Sequence, residues 1–334
     1  MTYTVPSIVF AGSHAIALPL LNFLSQGHTQ GDHFRLSGII SQPDRASGRG
    51  KIMTPTIISR WAMEHHIPLH RPEKLDEHSI DWLQEHSCDL LLVMAYGHMI
   101  GKTIREFPKL GIFNFHTSLL PRFRGATPIE AALASDVEKT GVTLMEIVQK
   151  MDAGDILGSI SVPIAFHDTQ VELTDKLSHA TCYLCEKFLP QLLSGNITRA
   201  PQPNEGITFC RKLETQDRLL DFHAPAEVLH RRIRALTPRP GCILELDHQP
   251  LKIIATDIDE HVLHDEKPGT LIAMPYHNAA IVAGDGKRLL LKEVQAPGGK
   301  RMPMTSFLLG HSLPWGTILP SHPMKPLEHT SFPF

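Results

Sequence analysis

Several features are scarce in this chain, and each scarcity removes a class of protein. Cysteine comes to 5 in 334 residues, an odd number unevenly spread, so a disulfide framework is not what holds the fold. Charge of one sign is also missing. Lys and Arg number 32 against 35 Asp and Glu, a formal net charge of −3, which argues against both disorder and a wholesale nucleic-acid coat. No apolar run approaches the ~20 residues that a bilayer crossing requires. No basic leader precedes the first apolar segment, Ile8-Val9-Phe10-Ala11-Gly12, so the expectation is a cytoplasmic protein with no membrane partner. Phe10-Ala11-Gly12-Ser13-His14 lacks the G-x-G-x-x-G fingerprint, which disfavours a dinucleotide dehydrogenase.

What is present is enough apolar material, 42% of residues, for the cores of two domains. Apolar strand candidates at Ser7–Ala11, Leu36–Ser41, Leu90–Met94 and Gly111–Phe115 alternate with helical patterns at Ala15–Ser25, Thr56–His65, Ser79–His86 and Pro128–Ala134. Strands at Thr143–Val148 and Gly158–Pro163 follow. This alternation predicts an open α/β sheet with right-handed crossovers and a ligand site at the carboxyl ends of its strands. Thr127-Pro128-Ile129-Glu130 reads as a capping box opening the last of those helices. A longer helix runs from Val171 to Leu193. Within it, Cys182-x-x-Cys185 reads as buried helical thiols in preference to a metal or redox site, because no second pair completes a zinc tetrad. Histidines 28, 33, 65, 66 and 70 lie in polar stretches and read as solvated imidazoles.

The period breaks near residues 195–206, and past a short helix at Ala226–Ala235 the chain turns to short strands at Cys242–Leu246, Leu251–Thr256, Gly269–Met274, Ala279–Ala283 and Leu289–Val294. Their spacing, with Asp285-Gly286 as a hairpin turn, predicts a small β-barrel. The expected limits are a catalytic domain over 1–194, a linker over 195–208, a barrel over 209–320 and a Pro-rich tail over 321–334. Residues 1–209 carry 17 Lys and Arg against 21 Asp and Glu, and residues 210–334 carry 15 against 14. Nucleic-acid contact must therefore come from local patches, such as Arg231-Arg232-x-Arg234 or Lys300-Arg301. A solvated basic helix face explains the first patch equally well.

The most informative stretch is Asn114-Phe115-His116-Thr117-Ser118-Leu119-Leu120-Pro121, followed by Met151-Asp152-Ala153-Gly154-Asp155. Period-two spacing puts Asn114 and His116 on one side of a strand, with Phe113 and Phe115 on the other. An amide and an imidazole are poor core material, but they suit a site that holds a carbonyl and manages a proton. Asp152, arriving from elsewhere, completes a set fit for acyl transfer to an amine. Asn114 and protonated His116 donate to the tetrahedral oxyanion, while His116 and Asp152 relay the proton. The amine itself attacks, so no Ser or Cys nucleophile is needed, and no metal is expected. One Asn-x-His with a distant Asp also arises by chance.

The run Gly111 to His116, with Ser118-Leu119-Leu120-Pro121-Arg122-Phe123-Arg124-Gly125-Ala126-x-Pro128-Ile129 and the Asp152 segment, resembles the signature of the folate-dependent formyltransferases. The resemblance extends from Ile8 to about Leu319. It includes Gln42-Pro43-Asp44-Arg45-x-x-Gly48-Arg49-Gly50-Lys51, Ala95-Tyr96-Gly97 and the stretch around Ile233-Arg234-Ala235-Leu236-x-Pro238-x-Pro240-Gly241. Thr117 stands where the family usually has Gly, and Arg239 where an aromatic is common.

The resemblance implies a Rossmann-like domain joined to an OB-like barrel, with Asn114, His116 and Asp152 as the catalytic trio. It implies 10-formyl-tetrahydrofolate as donor, held by Ser118, Leu119, Leu120, Pro121, Ala95, Tyr96 and Gly97. The implied acceptor is the methionyl amine of initiator tRNA, with Arg45, Arg49 and Lys51 on the acceptor stem. Arg232, Arg234, Lys300 and Arg301 are the barrel-side candidates for phosphate. A monomer is expected. The alternative is a related formyltransferase or hydrolase acting on another acceptor, such as a sugar amine or water.

Overall fold

A computed structural model of the chain describes residues 5–29, 32–47, 50–246, 249–263 and 265–331. By packing, the chain divides into two compact units. The first comprises Met1–Ala126, Lys139–Pro163 and Thr174–Phe209, and the second comprises Thr127–Glu138, Ile164–Leu173 and Cys210–Phe334.

The first unit is built on strands β1 (Ser7–Gly12), β2 (Arg35–Ile40), β3 (Leu69–His70), β4 (Leu90–Met94), β5 (Ile112–His116), β6 (Lys139–Glu146) and β7 (Ile156–Pro163). They form one sheet in the order β7-β6-β5-β4-β1-β2-β3. The first five strands run parallel, and β6 runs antiparallel to both β5 and β7. Strands β1 and β4 are buried along their whole length, which is why they read as continuous apolar runs instead of alternating ones.

Helices α1 (Leu18–Leu24), α2 (Ile57–Glu64), α3 (Ile80–Glu85) and α4 (Lys102–Arg105) lie in the crossovers. Residues 15–25, expected as one helix, begin with a 3-10 turn at Ala15–Ala17. The Thr56 hydroxyl caps α2 by accepting from Ser59 N at 2.9 Å. From β1 the chain winds outward through β2 and β3, and from β4 it winds the opposite way to β5. The strand order therefore reverses between β1 and β4, the position at whose carboxyl side open α/β sheets hold their ligands. This is a Rossmann-like arrangement with an antiparallel edge.

In the second unit, α5 (Pro128–Ala134) packs on α7 (Ala226–Leu236). Helix α6 (Gln170–Ser194) lies between them in sequence, and from Thr174 onward it belongs to the first unit. Strands β8 (Ile243–Leu246), β9 (Gln249–Asp259), β10 (Leu271–Met274), β11 (Asn278–Val282) and β12 (Arg288–Gln295) make an antiparallel sheet in the order β8-β9-β12-β11-β10. A short β13 (Arg301–Pro303) pairs with β12 and leads into α8 (Met304–Gly310). Register shifts in β9 between Ile253 and Thr256 bend the strand, and the sheet curls into a half-barrel. Its inner face packs Ile253, Ile281, Leu289 and Val294 against Leu229 and Ile233 of α7 and Phe307 of α8.

One expectation changes. Thr127 does not cap α5 with its side chain. Its hydroxyl donates to the Arg211 carbonyl at 2.6 Å, and Glu130 accepts from Gln170. A tertiary partner has displaced the local one. The chain from Pro314 into the expected Pro-rich tail over 321–334 runs as an extended arm docked on the second unit as far as residue 331. Leu319 and Leu327 are buried, His322 N donates to Leu220 O at 2.9 Å, and Arg211 Nε donates to Pro326 O at 3.2 Å.

Candidate active site

Strand β5 carries the amide and the imidazole two residues apart, and the turn between β6 and β7 brings a carboxylate to the imidazole, all within the first unit. On β5, Asn114 pairs across to Met145 and Val93, and His116 to Thr143. Phe113 and Phe115 are buried on the opposite face. The imidazole is 5% exposed. Its Nε2 lies 2.9 Å from the Phe123 carbonyl oxygen, which can only accept, so Nε2 carries a hydrogen. That leaves Nδ1 as the atom free to gain or lose a proton, and Nδ1 faces Asp152 Oδ2 at 3.7 Å. At that distance the two are neighbours and not locked in a hydrogen bond.

Asp152 comes from the turn between β6 and β7. Its Oδ2 accepts from Gly125 N at 2.8 Å, and its backbone is left-handed, with φ 47°. A β-carbon on Gly154 would sit 1.9 Å from the Glu146 carbonyl oxygen, so only glycine lets this turn fold back so tightly. Asn114 is partly buried. Its side-chain amide has no hydrogen-bond partner among the described residues.

The loop after β5 is fixed from within. Ser118, fully buried, donates to Arg122 O at 2.7 Å. The Thr143 hydroxyl donates to Ser118 O at 2.7 Å and accepts from Leu120 N at 3.1 Å. Phe123 N donates to the Thr208 hydroxyl at 2.9 Å. Ser118 and Leu120 therefore shape the loop from beneath, while the partly exposed Leu119 and Pro121 form its outer face.

Ala95, Tyr96 and Gly97 follow β4 beside the end of β1. Ser13 N donates to Ala95 O at 3.2 Å, and Gln42 Nε2 to Tyr96 O at 2.7 Å. The Tyr96 ring packs in the core with Val9, Ala11 and Ile40. Burial pushes its hydroxyl up to about 12, and the hydroxyl has no hydrogen-bond partner among the described residues. What this segment offers a ligand is main chain.

The basic candidates separate. Arg45 sits on a hairpin of Arg45–Ser47 with Ile52–Thr54 and pairs with exposed Glu73 at 2.7 Å. Lys51 is exposed in its turn, with φ 46°, and Arg49 lies outside the described residues. Arg232 and Arg234 must be withdrawn as phosphate contacts. Arg232 is 4% exposed and bonds Asp217 Oδ1 at 2.7 Å, alongside Arg211. Arg234 is 8% exposed and donates to the Asp168 carbonyl at 2.7 Å. Burial depresses both guanidinium groups. Charges already spent on internal partners cannot release counterions from RNA. Lys300 is exposed, and Arg301 pairs with Glu293. No group of three or more His, Cys, Asp or Glu among the described residues could hold a metal.

Two further residues belong to this constellation, Arg124 and Gln202. Arg124 lies inside the signature run, but nothing in the sequence gives it a chemical role of its own. Gln202 sits in a stretch whose Pro and Gly content marks a linker, where no local signal singles it out.

Residues 7–186 match the Formyl transferase family and residues 212–312 match Formyl transferase, C-terminal domain. A protein of Halorhodospira halophila named methionyl-tRNA formyltransferase is 36% identical over 306 residues, covering 92% of this chain and 96% of that protein. One of the same name from Bacillus licheniformis is 34% identical, covering 93% and 97%. Among solved structures, WlaRD, described as a sugar 3N-formyl transferase, superposes with a TM-score of 0.64 at 17% identity, covering 89% of this chain and 100% of that one. At that identity the match speaks for the fold.

Proposed function

The chain belongs to the formyl transferase family, and we propose that it moves the formyl group of 10-formyl-tetrahydrofolate to the free amino group of methionyl initiator tRNA. The product is formylmethionyl-tRNA, for translation initiation. The observation that carries this reading is a buried imidazole whose free nitrogen faces a carboxylate held on Gly125 N, on a strand that also carries Asn114, whose amide has no hydrogen-bond partner among the described residues. A folate bound here would draw apolar surface from the outer face of the loop, Leu119 and Pro121, and polar groups from the main chain around Ala95 to Gly97.

In the reaction the methionyl amine attacks the formyl carbon, and the bond from that carbon to the donor nitrogen breaks. Asn114 donates an N–H to the developing oxyanion. Nδ1 of neutral His116, on the side that faces Asp152, takes the proton shed by the attacking amine, and the imidazolium so formed gives it to the leaving nitrogen. Arg45, Arg49 and Lys51 meet acceptor-stem phosphates, and Lys300 and Arg301 reach phosphate from the second unit. As working limits we take 1–194 as catalytic domain, 195–208 as linker and 209–320 as tRNA-binding domain. The protein acts as a monomer in the cytoplasm.

The alternative acceptors are a sugar amine and water. The test is transfer of labelled formyl from 10-formyl-tetrahydrofolate in parallel to charged initiator tRNA, charged elongator tRNA, an amino-sugar nucleotide and buffer. Label on initiator tRNA is expected. Label on the sugar, or release as formate with the tRNA unlabelled, would overturn the assignment.

A further inference from the structure

The Gln202 carboxamide uses every part of its hydrogen-bonding capacity at one place. Nε2 donates to the Asp152 carbonyl at 2.8 Å and to the Gly154 carbonyl at 2.8 Å. Oε1 accepts from Arg124 Nη2 at 2.6 Å and Nε at 3.2 Å. Both amide protons and the acceptor oxygen are thus committed, a pattern that only an amide can satisfy. Arg124 is 3% exposed. Burial depresses its guanidinium, an effect opposed by the charge of Asp152. The backbone that Gln202 grips is that of a non-glycine residue in the left-handed region, a conformation that persists only where neighbours over-determine it.

We infer that Gln202 is a positioning residue for formyl transfer. With Arg124 behind it, it holds the Asp152 turn in the one conformation that keeps Oδ2 on Gly125 N and against His116 Nδ1. The inference rests on the proposed reaction. It adds a residue that touches neither donor nor acceptor and acts through the main chain of Asp152. Two carbonyl oxygens 2.8 Å from one nitrogen make the residue type decisive. Glu in that place keeps the bonds from Arg124 but turns an oxygen towards the two carbonyls, which repel it and release the turn. Met keeps the length of the side chain and supplies neither donor nor strong acceptor.

The test compares steady-state formyl transfer for wild type, Gln202→Glu and Gln202→Met, each also in the Asp152→Asn background. A misplacement of about 1 Å at a reacting group costs on the order of 100-fold. Each single variant should therefore lower kcat about that much, with KM for tRNA and for folate within about threefold of wild type. In the Asp152→Asn background the same substitutions should cost less than about threefold more, because the group they position is already disabled.

A kcat within about threefold of wild type for a folded single variant overturns the inference. So does a full multiplicative loss in the double variants, which would assign Gln202 a route independent of Asp152. Should Gln202→Glu fail to fold, Gln202→Met carries the same two readings. A wild-type protein without transfer activity sinks the proposed reaction itself, whereas an active wild type with unimpaired Gln202 variants sinks this inference alone.

Discussion

Removing the amide of Asn114 separates catalysis from folding more cleanly than any other single change. The side chain sits at the end of β5 with no hydrogen-bond partner among the described residues, and it is only partly buried. The strand is held by main-chain pairing to Val93 and Met145, which Asn114→Ala leaves alone. Its cost to stability should therefore fall within the ~0.5 kcal/mol typical of substitutions away from packed or bonded groups. If the amide donates to the oxyanion, its loss removes one pre-aimed donor, worth ~2.7–4 kcal/mol in the transition state, or a fall in kcat of roughly 100- to 1000-fold. KM should change little, because the bond strengthens as charge develops on the oxygen. The assay is single-turnover formyl transfer to charged initiator tRNA beside a thermal melt of the same preparation. A rate within fivefold of wild type would remove Asn114 from the mechanism. A large drop in melting temperature would show that the amide serves the fold.

Other expectations follow from the same geometry. Asp152→Asn, which keeps the shape of the side chain but loses the charge facing His116 Nδ1, should lower kcat by on the order of 100-fold or more with the melt unchanged; near-normal turnover would exclude a relay through this carboxylate. Neutralising Arg45 and Lys51 together should reduce the salt slope of tRNA binding by about 1 for each phosphate left without its cation, with folate binding unaltered. An unchanged slope would mean that the hairpin does not meet phosphate. His230 is 1% exposed, with Nδ1 on the Thr256 hydroxyl at 2.8 Å, and burial lowers its pKa from 6.5 to about 4. The unfolded chain therefore binds the proton more readily. The stability from the neutral imidazole is present above about 6.5 and is lost as pH falls towards about 4, an effect of up to ~3 kcal/mol. Denaturant melts across that window should show a shallower pH slope for His230→Gln than for wild type, and equal slopes would contradict the burial argument.

Legibility from sequence followed how local each determinant was. Leu90–Met94 could be bounded correctly because a doubly covered strand is apolar at every position. Pro128 marked the start of α5 because a residue without an N–H suits the first turn. The hydroxyl of Thr127 could not be assigned, because its acceptor lies 84 residues away. Arg232 and Arg234 looked like a basic face because the acid and carbonyls that neutralise them lie 15 and 66 residues distant. The hairpin at Arg45–Ser47 and Ile52–Thr54 carries exposed Ile52 and Met53 and gave no buried-strand pattern. His70 read as solvated, yet it stacks on Trp82 at 5.1 Å and meets Ser79 at 3.0 Å.

At the candidate site, the alternation that puts Asn114 and His116 on one side needs only the strand period. The approach of Asp152 rests on Gly125 and on Gln202 from a stretch that reads as linker. Cys182 and Cys185 are free, Cys185 buried and Cys182 partly so, and burial pushes both thiols up.

The claim on which the mechanism turns is that one carbonyl carbon is met by Asn114, His116 and Asp152 together. A crystal structure of the protein with 10-formyl-5,8-dideazafolate, a stable donor analogue, tests it most directly. The formyl oxygen is expected within ~2.7–3.2 Å of Asn114 Nδ2 and the formyl carbon on the side where His116 Nδ1 and Asp152 Oδ2 face each other. A formyl group bound away from the end of β5, or an Asn114 amide turned from its oxygen, would contradict it.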